Sequence, residues 1–318
     1  MAEHRQKVCL VGDGFVGTAF ASAMCQQGVA EDFVIIDEPK KDHADGDVLD
    51  LEDAIAWLPQ KKITRGSYDA CKDADIVVIT AGAAQKPGET RLQLVNRNVK
   101  IMHEIVKPII DSGFNGIFLV ASNPVDILTY SVWKWSGFEK NRVIGSGTAL
   151  DTSRLKVALG KELGIDARDI NAYVMGEHGD SEFANLDEAT VAGIPLSLMA
   201  EKHNVSHDRL VEIEDQVRNK AYEIINRKGF TAYGVAASMT RICEAILHDQ
   251  SSVLPVSAPL DGEYGFHDIF TGTPAIIDGN GIKEVLEIPL SDHEMEEFKK
   301  SSDTVIEVRE NAYKETGL

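Results

Sequence analysis

No two cysteines of this chain stand at Cys-x-x-Cys spacing, and there are only four among 318 residues, at positions 9, 25, 71 and 243. That excludes a disulfide framework and leaves no Cys/His pattern for zinc, so no metal is expected. Cys9 falls in an apolar run and Cys25 on a helical stretch; both read as small core residues, in keeping with a reducing compartment. Basic charge is scarce: 32 Lys and Arg face 51 Asp and Glu, for a net charge of −19. This argues against nucleic acid or an anionic membrane as a partner, and any anionic substrate must be drawn in by local arginines. No apolar run approaches membrane-spanning length, and the start, MAEHRQK, lacks the apolar core of a secretory signal, so a cytoplasmic location is expected. Repeats and low-complexity segments are absent. The composition, 43% hydrophobic and 26% charged, is that of a globular protein, and the length predicts two domains.

The strongest positive signal lies in residues 7–37. The apolar run Val8–Val11 enters the motif GDGFVG (12–17); a helical stretch and a second apolar run follow, ending at Asp37. Strand, glycine turn, helix, strand and acid together predict a dinucleotide site. Gly12 permits a tight turn, Gly14 lets backbone approach a pyrophosphate, and Gly17 lets the helix pack close to the sheet. The helix N-terminus offers free N–H groups to the phosphates. Asp37, 20 residues after Gly17, should meet ribose hydroxyls and favours NAD, because a 2′-phosphate would be repelled.

Further apolar runs at 33–36, 76–80, 117–120 and 143–145 are rich in Val and Ile and do not alternate, as in parallel strands buried on both faces. Leu92, Val95, Val99, Met102, Val106 and Ile109 mark an amphipathic helix, which Pro108 should kink or end and Gly113 should cap. The pattern predicts an α/β fold: a Rossmann-type doubly wound parallel sheet over residues 1–147. Over 148–318 the reading is an α+β substrate domain. Helices are expected near 151–163, 210–229 and 232–247 and from about 291, with strands at 171–175, 183–192 and around the turns Asp261-Gly262 and Asp278–Gly281.

Several polar segments could carry chemistry. His178 sits in Gly-Glu-His-Gly-Asp (176–180) after a predicted strand; it reads as a general acid/base or as a solvated loop histidine. Asp151 and Arg154 share a helix face. They read as an N-cap with an intrahelical ion pair, or as an imidazole-orienting carboxylate beside a guanidinium that grips a substrate carboxylate. Residues 84–91, with Pro87 and Gly88, form a plausible lid carrying Arg91, which could polarise a carbonyl, or else a surface loop. Ser122–Asp126 follows a strand at the ligand-binding edge of such sheets, or is merely a turn.

Taken together, GDGFVG (12–17), TAGAAQKPGETRL (80–92), SNPVDILTY (122–130), RVIGSGTALDTSR (142–154), GEHGDSE (176–182), KGFTAYG (228–234) and GTPAII (272–277) cover essentially the whole chain. With these motifs the chain resembles the bacterial-type L-lactate dehydrogenases of the lactate/malate dehydrogenase superfamily. The resemblance implies reversible reduction of pyruvate by NADH in fermentative glycolysis, in a homotetramer. It implies that His178 exchanges the proton, Asp151 orients it, Arg154 clamps the carboxylate and Arg91 rides on the lid. Asn123 is similar to a residue facing both substrate and cofactor, and Thr231 to one lining the substrate pocket. Val16, Asp37, Tyr68, Gly82 and Ala83 fall where the family contacts NAD.

Gln85 stands where malate enzymes of the superfamily carry an arginine for the second carboxylate. A neutral side chain there would leave a dicarboxylate's second charge buried and unpaired, at a cost of several kcal/mol, which favours pyruvate over oxaloacetate. In one respect the chain departs from its relatives. Members activated by fructose 1,6-bisphosphate carry an arginine and a histidine where this chain has Lys156 and Asn171, so a weak or absent response is expected. The alternatives are a malate or other L-2-hydroxy-acid dehydrogenase, a metal-dependent NAD glycosidase of related fold, and a non-catalytic NAD-binding protein. The glycosidase needs a Cys/His metal site that this sequence does not supply.

Overall fold

The computed structural model describes residues 5–38, 42–83 and 91–318, with only the backbone of Arg91. The first half runs β1 (Lys7–Val11), α1 (Phe15–Gln27), β2 (Asp32–Ile36), α2 (His43–Ala54), β3 (Lys62–Arg65), β4 (Ile76–Ile79), α3 (Arg91–Asp111), β5 (Ile117–Val120), α4 (Val125–Ser136) and β6 (Val143–Gly145). The second half runs α5 (Ala149–Leu163), β7 (Ile170–Met175), β8 (Phe183–Val191), β9 (Ile194–Pro195), α6 (Leu196–Lys202), α7 (His207–Lys228), α8 (Tyr233–Leu247), β10 (Ser252–Asp261), β11 (His267–Asp278), β12 (Gly281–Val285) and α9 (Asp292–Thr316).

Six parallel strands lie in the order β3-β2-β1-β4-β5-β6. The chain leaves β1 toward one side and returns to β4 on the other. The carboxyl ends of β1 and β4 therefore flank the crevice where such sheets bind ligands. Alternate residues serve opposite faces. Val8 and Leu10 belong to one buried cluster with Phe20 and Met24 of α1 and Met239 and Ile242 of α8; Cys9 and Val11 belong to another with Val99 and Met102 of α3 and Phe298 of α9. At about 1.5–3 kcal/mol for each fully buried large apolar side chain, α8 is held firmly against α1. A third cluster joins α5 and α7 to β7 and β8.

The structure differs from the sequence expectation in two places. The last three strands extend the first-half sheet: β10 runs antiparallel beside β6, with β11 and β12 outside it, giving nine strands. Among the described residues, only β7-β8-β9 form a separate sheet of the second half. Gly145 permits this docking, because a Cβ there would lie 2.6 Å from Cβ of Ser257, its β10 partner. Pro108, in turn, does not itself end its helix, which runs on to Asp111. It stands three residues from the end of α3, so little helix remains to disturb, and Gly113, at φ +90°, follows the end.

Candidate active site

The turn after β1 is built for close approach. Gly12 adopts φ +102°, and its N–H donates to Ile36 O at 2.8 Å. A Cβ on Gly17 would lie 2.1 Å from Gly12 O, so only glycine lets α1 start this close to the turn. Around Gly14, by contrast, a Cβ would meet nothing within 4 Å, which leaves the space a pyrophosphate needs. The first turn of α1 holds no acid and no side-chain cap, so its N–H groups are available to phosphate. Val16 is half-buried in that turn. Asp37 follows β2, and Tyr68 opens the 3-10 turn after β3 close enough for the Asp37 charge to act on it. Burial first, then neighbouring negative charge including Asp37, pushes the Tyr68 hydroxyl upward in pKa. Gly82 and Ala83 leave β4 across the crevice, where the Ala83 N–H donates to Asn98 Oδ1 at 2.8 Å. These residues fit a dinucleotide laid across the ends of β1 and β4.

Asn98 and Asp13 escaped the sequence reading. Asn98 is buried in α3 and also donates to Asn123 O at 2.7 Å, so one amide ties the β4 exit to the β5 exit. Its position on a helical apolar face was the available signal. Asp13, between two glycines of the turn, is 4% exposed and faces His43 Nδ1 at 3.2 Å. Burial and the nearby Asp47 carboxylate hold its pKa above the usual carboxylate range.

The second cluster centres on Asp151, in the first turn of α5 and 1% exposed. Thr148 precedes the helix, so Asp151 is not the N-cap. The intrahelical ion pair does form, with Arg154 Nη1 at 2.9 Å from Oδ1. The other carboxylate oxygen meets His178 Nδ1 at 2.6 Å. The two readings of this pair therefore coexist: one carboxylate holds the guanidinium and the imidazole together. With Nδ1–H donated to Asp151, the ring presents Nε2, which has no hydrogen-bond partner among the described residues.

Burial by itself opposes charge on His178. The Asp151 carboxylate in contact, aided by Glu182 and Asp126, reverses this and raises the imidazole pKa above its ordinary value. Asp151 is likewise disfavoured by burial, but His178 and Arg154 together hold its pKa below the usual range. Glu182, 5% exposed and within 4.8 Å of both groups, has its pKa raised by burial and then by the Asp151 charge. Glu182 and Asp126 are buried acids that the sequence reading passed over, although both lie inside the quoted motifs.

Arg154 also lines a cavity of about 470 Å³ between α5, α7 and α8, and Thr231 lines it too. Asn123 follows β5, exposed and joined to Pro124 by a cis peptide bond. Gln85 and the rest of the expected lid at 84–90 lie outside the described residues. Arg91 begins α3, its side chain undescribed. Lys156 lies on α5, half-buried, and Asn171 on β7, exposed. Among the described residues, no helix is long and apolar enough to cross a membrane.

Comparison with known proteins points the same way as the geometry. Residues 6–145 match the lactate/malate dehydrogenase NAD binding domain, and residues 148–316 the lactate/malate dehydrogenase alpha/beta C-terminal domain. The chain is 58% identical to an L-lactate dehydrogenase of Pediococcus pentosaceus over 96% of this chain and 95% of that protein. It is 55% identical to one from Limosilactobacillus fermentum, over 98% of each. The crystal structure of a minor L-lactate dehydrogenase from Enterococcus mundtii in its ligands-bound form superposes with a TM-score of 0.95 at 46% identity, covering 97% of this chain and 98% of that one. With both halves matched in order and near full coverage, the chain belongs to the lactate/malate dehydrogenase family.

Proposed function

We propose that the chain catalyses pyruvate + NADH + H⁺ ⇌ L-lactate + NAD⁺. The observation that carries this reading is the Asp151 carboxylate holding Arg154 and His178 side by side, 2.9 and 2.6 Å away, with Arg154 on the wall of a cavity. NAD is held by Gly12, Gly14, Val16 and Gly17 at the diphosphate, by Asp37 and Tyr68 at the adenosine end, and by Gly82, Ala83 and Asn123 across the crevice. Bound there, the nicotinamide supplies the hydride. Arg154 holds the substrate carboxylate with its remaining N–H groups. His178 Nε2–H donates to the ketone oxygen and recovers the proton in the reverse direction. Arg91 polarises the carbonyl, Asn123 and Thr231 fix the substrate's orientation, and the neutral Gln85 offers no partner for a second carboxylate. The cofactor half (1–147) and the substrate half (148–318) divide this work. The enzyme acts in the cytoplasm as a homotetramer, which light scattering tests.

Turnover of a panel of 2-oxo acids, followed by NADH absorbance, tests substrate choice. Pyruvate is expected to exceed oxaloacetate, and Gln85→Arg to swing that ratio toward oxaloacetate by roughly 100-fold or more, because it supplies the missing charge partner. An unmoved ratio would remove Gln85 from specificity. Fructose 1,6-bisphosphate is expected to change the pyruvate KM by less than about twofold, since Lys156 offers no bidentate fork and Asn171 no charge. A large fall in KM on adding it would overturn this.

A further inference from the structure

The glycine turn after β1 is joined by stacked aromatic rings to the link that carries Thr231. Phe15, the first residue of α1, stacks on Phe230 with ring centroids 4.0 Å apart and planes 5° from parallel. Phe15 remains 67% exposed, so it is a contact residue and not part of the core. Phe230 lies in the link of residues 229–232 between α7 and α8, one residue before Thr231. Gly229 opens that link at φ +88°. Neither Phe230 nor Thr231 donates a backbone hydrogen bond to a described residue, so side chains set where the link lies. Ala232, 3% exposed, anchors its far end. Lys228 Nζ stands 4.5 Å from the Phe230 ring centroid and 4.0 Å from that of Tyr233, adding cation–π contacts. Thr231, Lys228 and Tyr233 line one cavity together with Arg154.

We propose that the Phe15–Phe230 stack is a specificity-determining clasp: by tying the link to the cofactor turn, it holds the Thr231 wall of the substrate pocket close and keeps the pocket small. This rests on the reading of Thr231 as a residue that lines the pyruvate site. α1 and α8 are already joined elsewhere, where Phe20, Met24, Met239 and Ile242 share one buried cluster. The stack is therefore not needed to bring the two helices together. The start of α8 is fixed from another side, since a Cβ on Gly234 would lie 2.6 Å from Leu150 Cδ1 of α5. Between that contact and Gly229, Phe230 is the residue that reaches across to α1. A stacked aromatic pair contributes roughly 2- to 10-fold in an equilibrium beyond its buried area. That is enough to bias where a short link lies and too little to decide folding.

The test compares pyruvate, 2-oxobutyrate and 2-oxo-4-methylpentanoate in the full-length protein, at saturating NADH so that a weakened cofactor turn does not enter. Phe230→Ala is expected to raise the pyruvate KM by roughly 2- to 10-fold, the worth of the stack, and to change kcat little. The kcat/KM of the branched acid relative to pyruvate is expected to rise about 10-fold, the low end of what a shaped pocket exacts for one extra methylene. Phe15→Ala is expected to do the same, although that residue stands on the other side of the contact. The double variant should go no further than the larger single change, because both break one contact. Phe230→Tyr keeps the ring and should return KM and substrate ratio to wild-type values. If Phe230→Ala does not fold, Phe230→Leu, which keeps apolar bulk without a flat ring, should show the same rise in ratio. Equal losses for all three acids, or single effects that multiply in the double variant, overturn the clasp while the reaction assignment stands. A wild-type protein that turns over none of the three acids overturns the assignment beneath it, and the clasp with it.

Discussion

Replacing His178 by Asn is expected to lower pyruvate kcat/KM by roughly 10²- to 10⁴-fold, the usual worth of a positioned general acid. Asparagine is close in size and can still donate to Asp151, so the fold should be retained and the loss should be chemical. The pH profile gives the sharper test. Reduction needs the imidazolium. Asp151, Glu182 and Asp126 raise the ring's pKa above its ordinary value, overcoming the burial that alone would lower it. Pyruvate kcat/KM should therefore stay level through the ordinary histidine range, near 6.5, and decline only above it. Lactate oxidation needs the neutral ring and should rise over the same interval. In His178→Asn both limbs should vanish. A mutant that keeps the wild-type profile would take His178 out of the mechanism.

Arg154→Leu is expected to have the second-largest effect. Truncating one partner of a buried, hydrogen-bonded charge pair costs about 2–5 kcal/mol, which is roughly 30- to several-thousand-fold in pyruvate kcat/KM. The substrate carboxylate loses its cation, and Asp151 loses one of its two partners. NADH affinity should not change, since Arg154 stands apart from the glycine turn. Arg154→Lys keeps the charge but cannot form two parallel hydrogen bonds, so it should fall between wild type and Leu. A normal pyruvate KM in Arg154→Leu would show that the carboxylate is held elsewhere. The two experiments differ in kind. The histidine change should appear as a lost ionisation, the arginine change as a raised KM.

Much of this site was legible because its signals are local. Gly12, Gly14 and Gly17 were readable because each answers to a backbone constraint a few residues wide: a positive φ, an open approach, a helix start that would leave a Cβ only 2.1 Å from Gly12 O. Asp151 and Arg154 were readable as a helix-face pair. Their link to His178 spans 27 residues, and no periodicity encodes it; residue chemistry offered it as one of two readings, and the family resemblance favoured it. Asp126 and Glu182 were illegible for a further reason. A buried acid is recognised by its partners, and those of Asp126 come from Ser257, 131 residues away, and His178, 52 away. The docking of β10 on β6 was missed on similar grounds, since a strand's own pattern says nothing about which sheet it joins.

That docking also governs how the molecule could be cut. A break after residue 147, between the two family matches, would strip β10–β12 from the nine-stranded sheet and bare the outer side of β6. An uncovered parallel edge of that sort templates association with other chains. It would also remove α8, whose buried face closes the sheet beside α1. The stretch matched as an NAD binding domain therefore borrows its border strands and one of its covering helices from the stretch matched as the alpha/beta C-terminal domain, so neither can be excised whole.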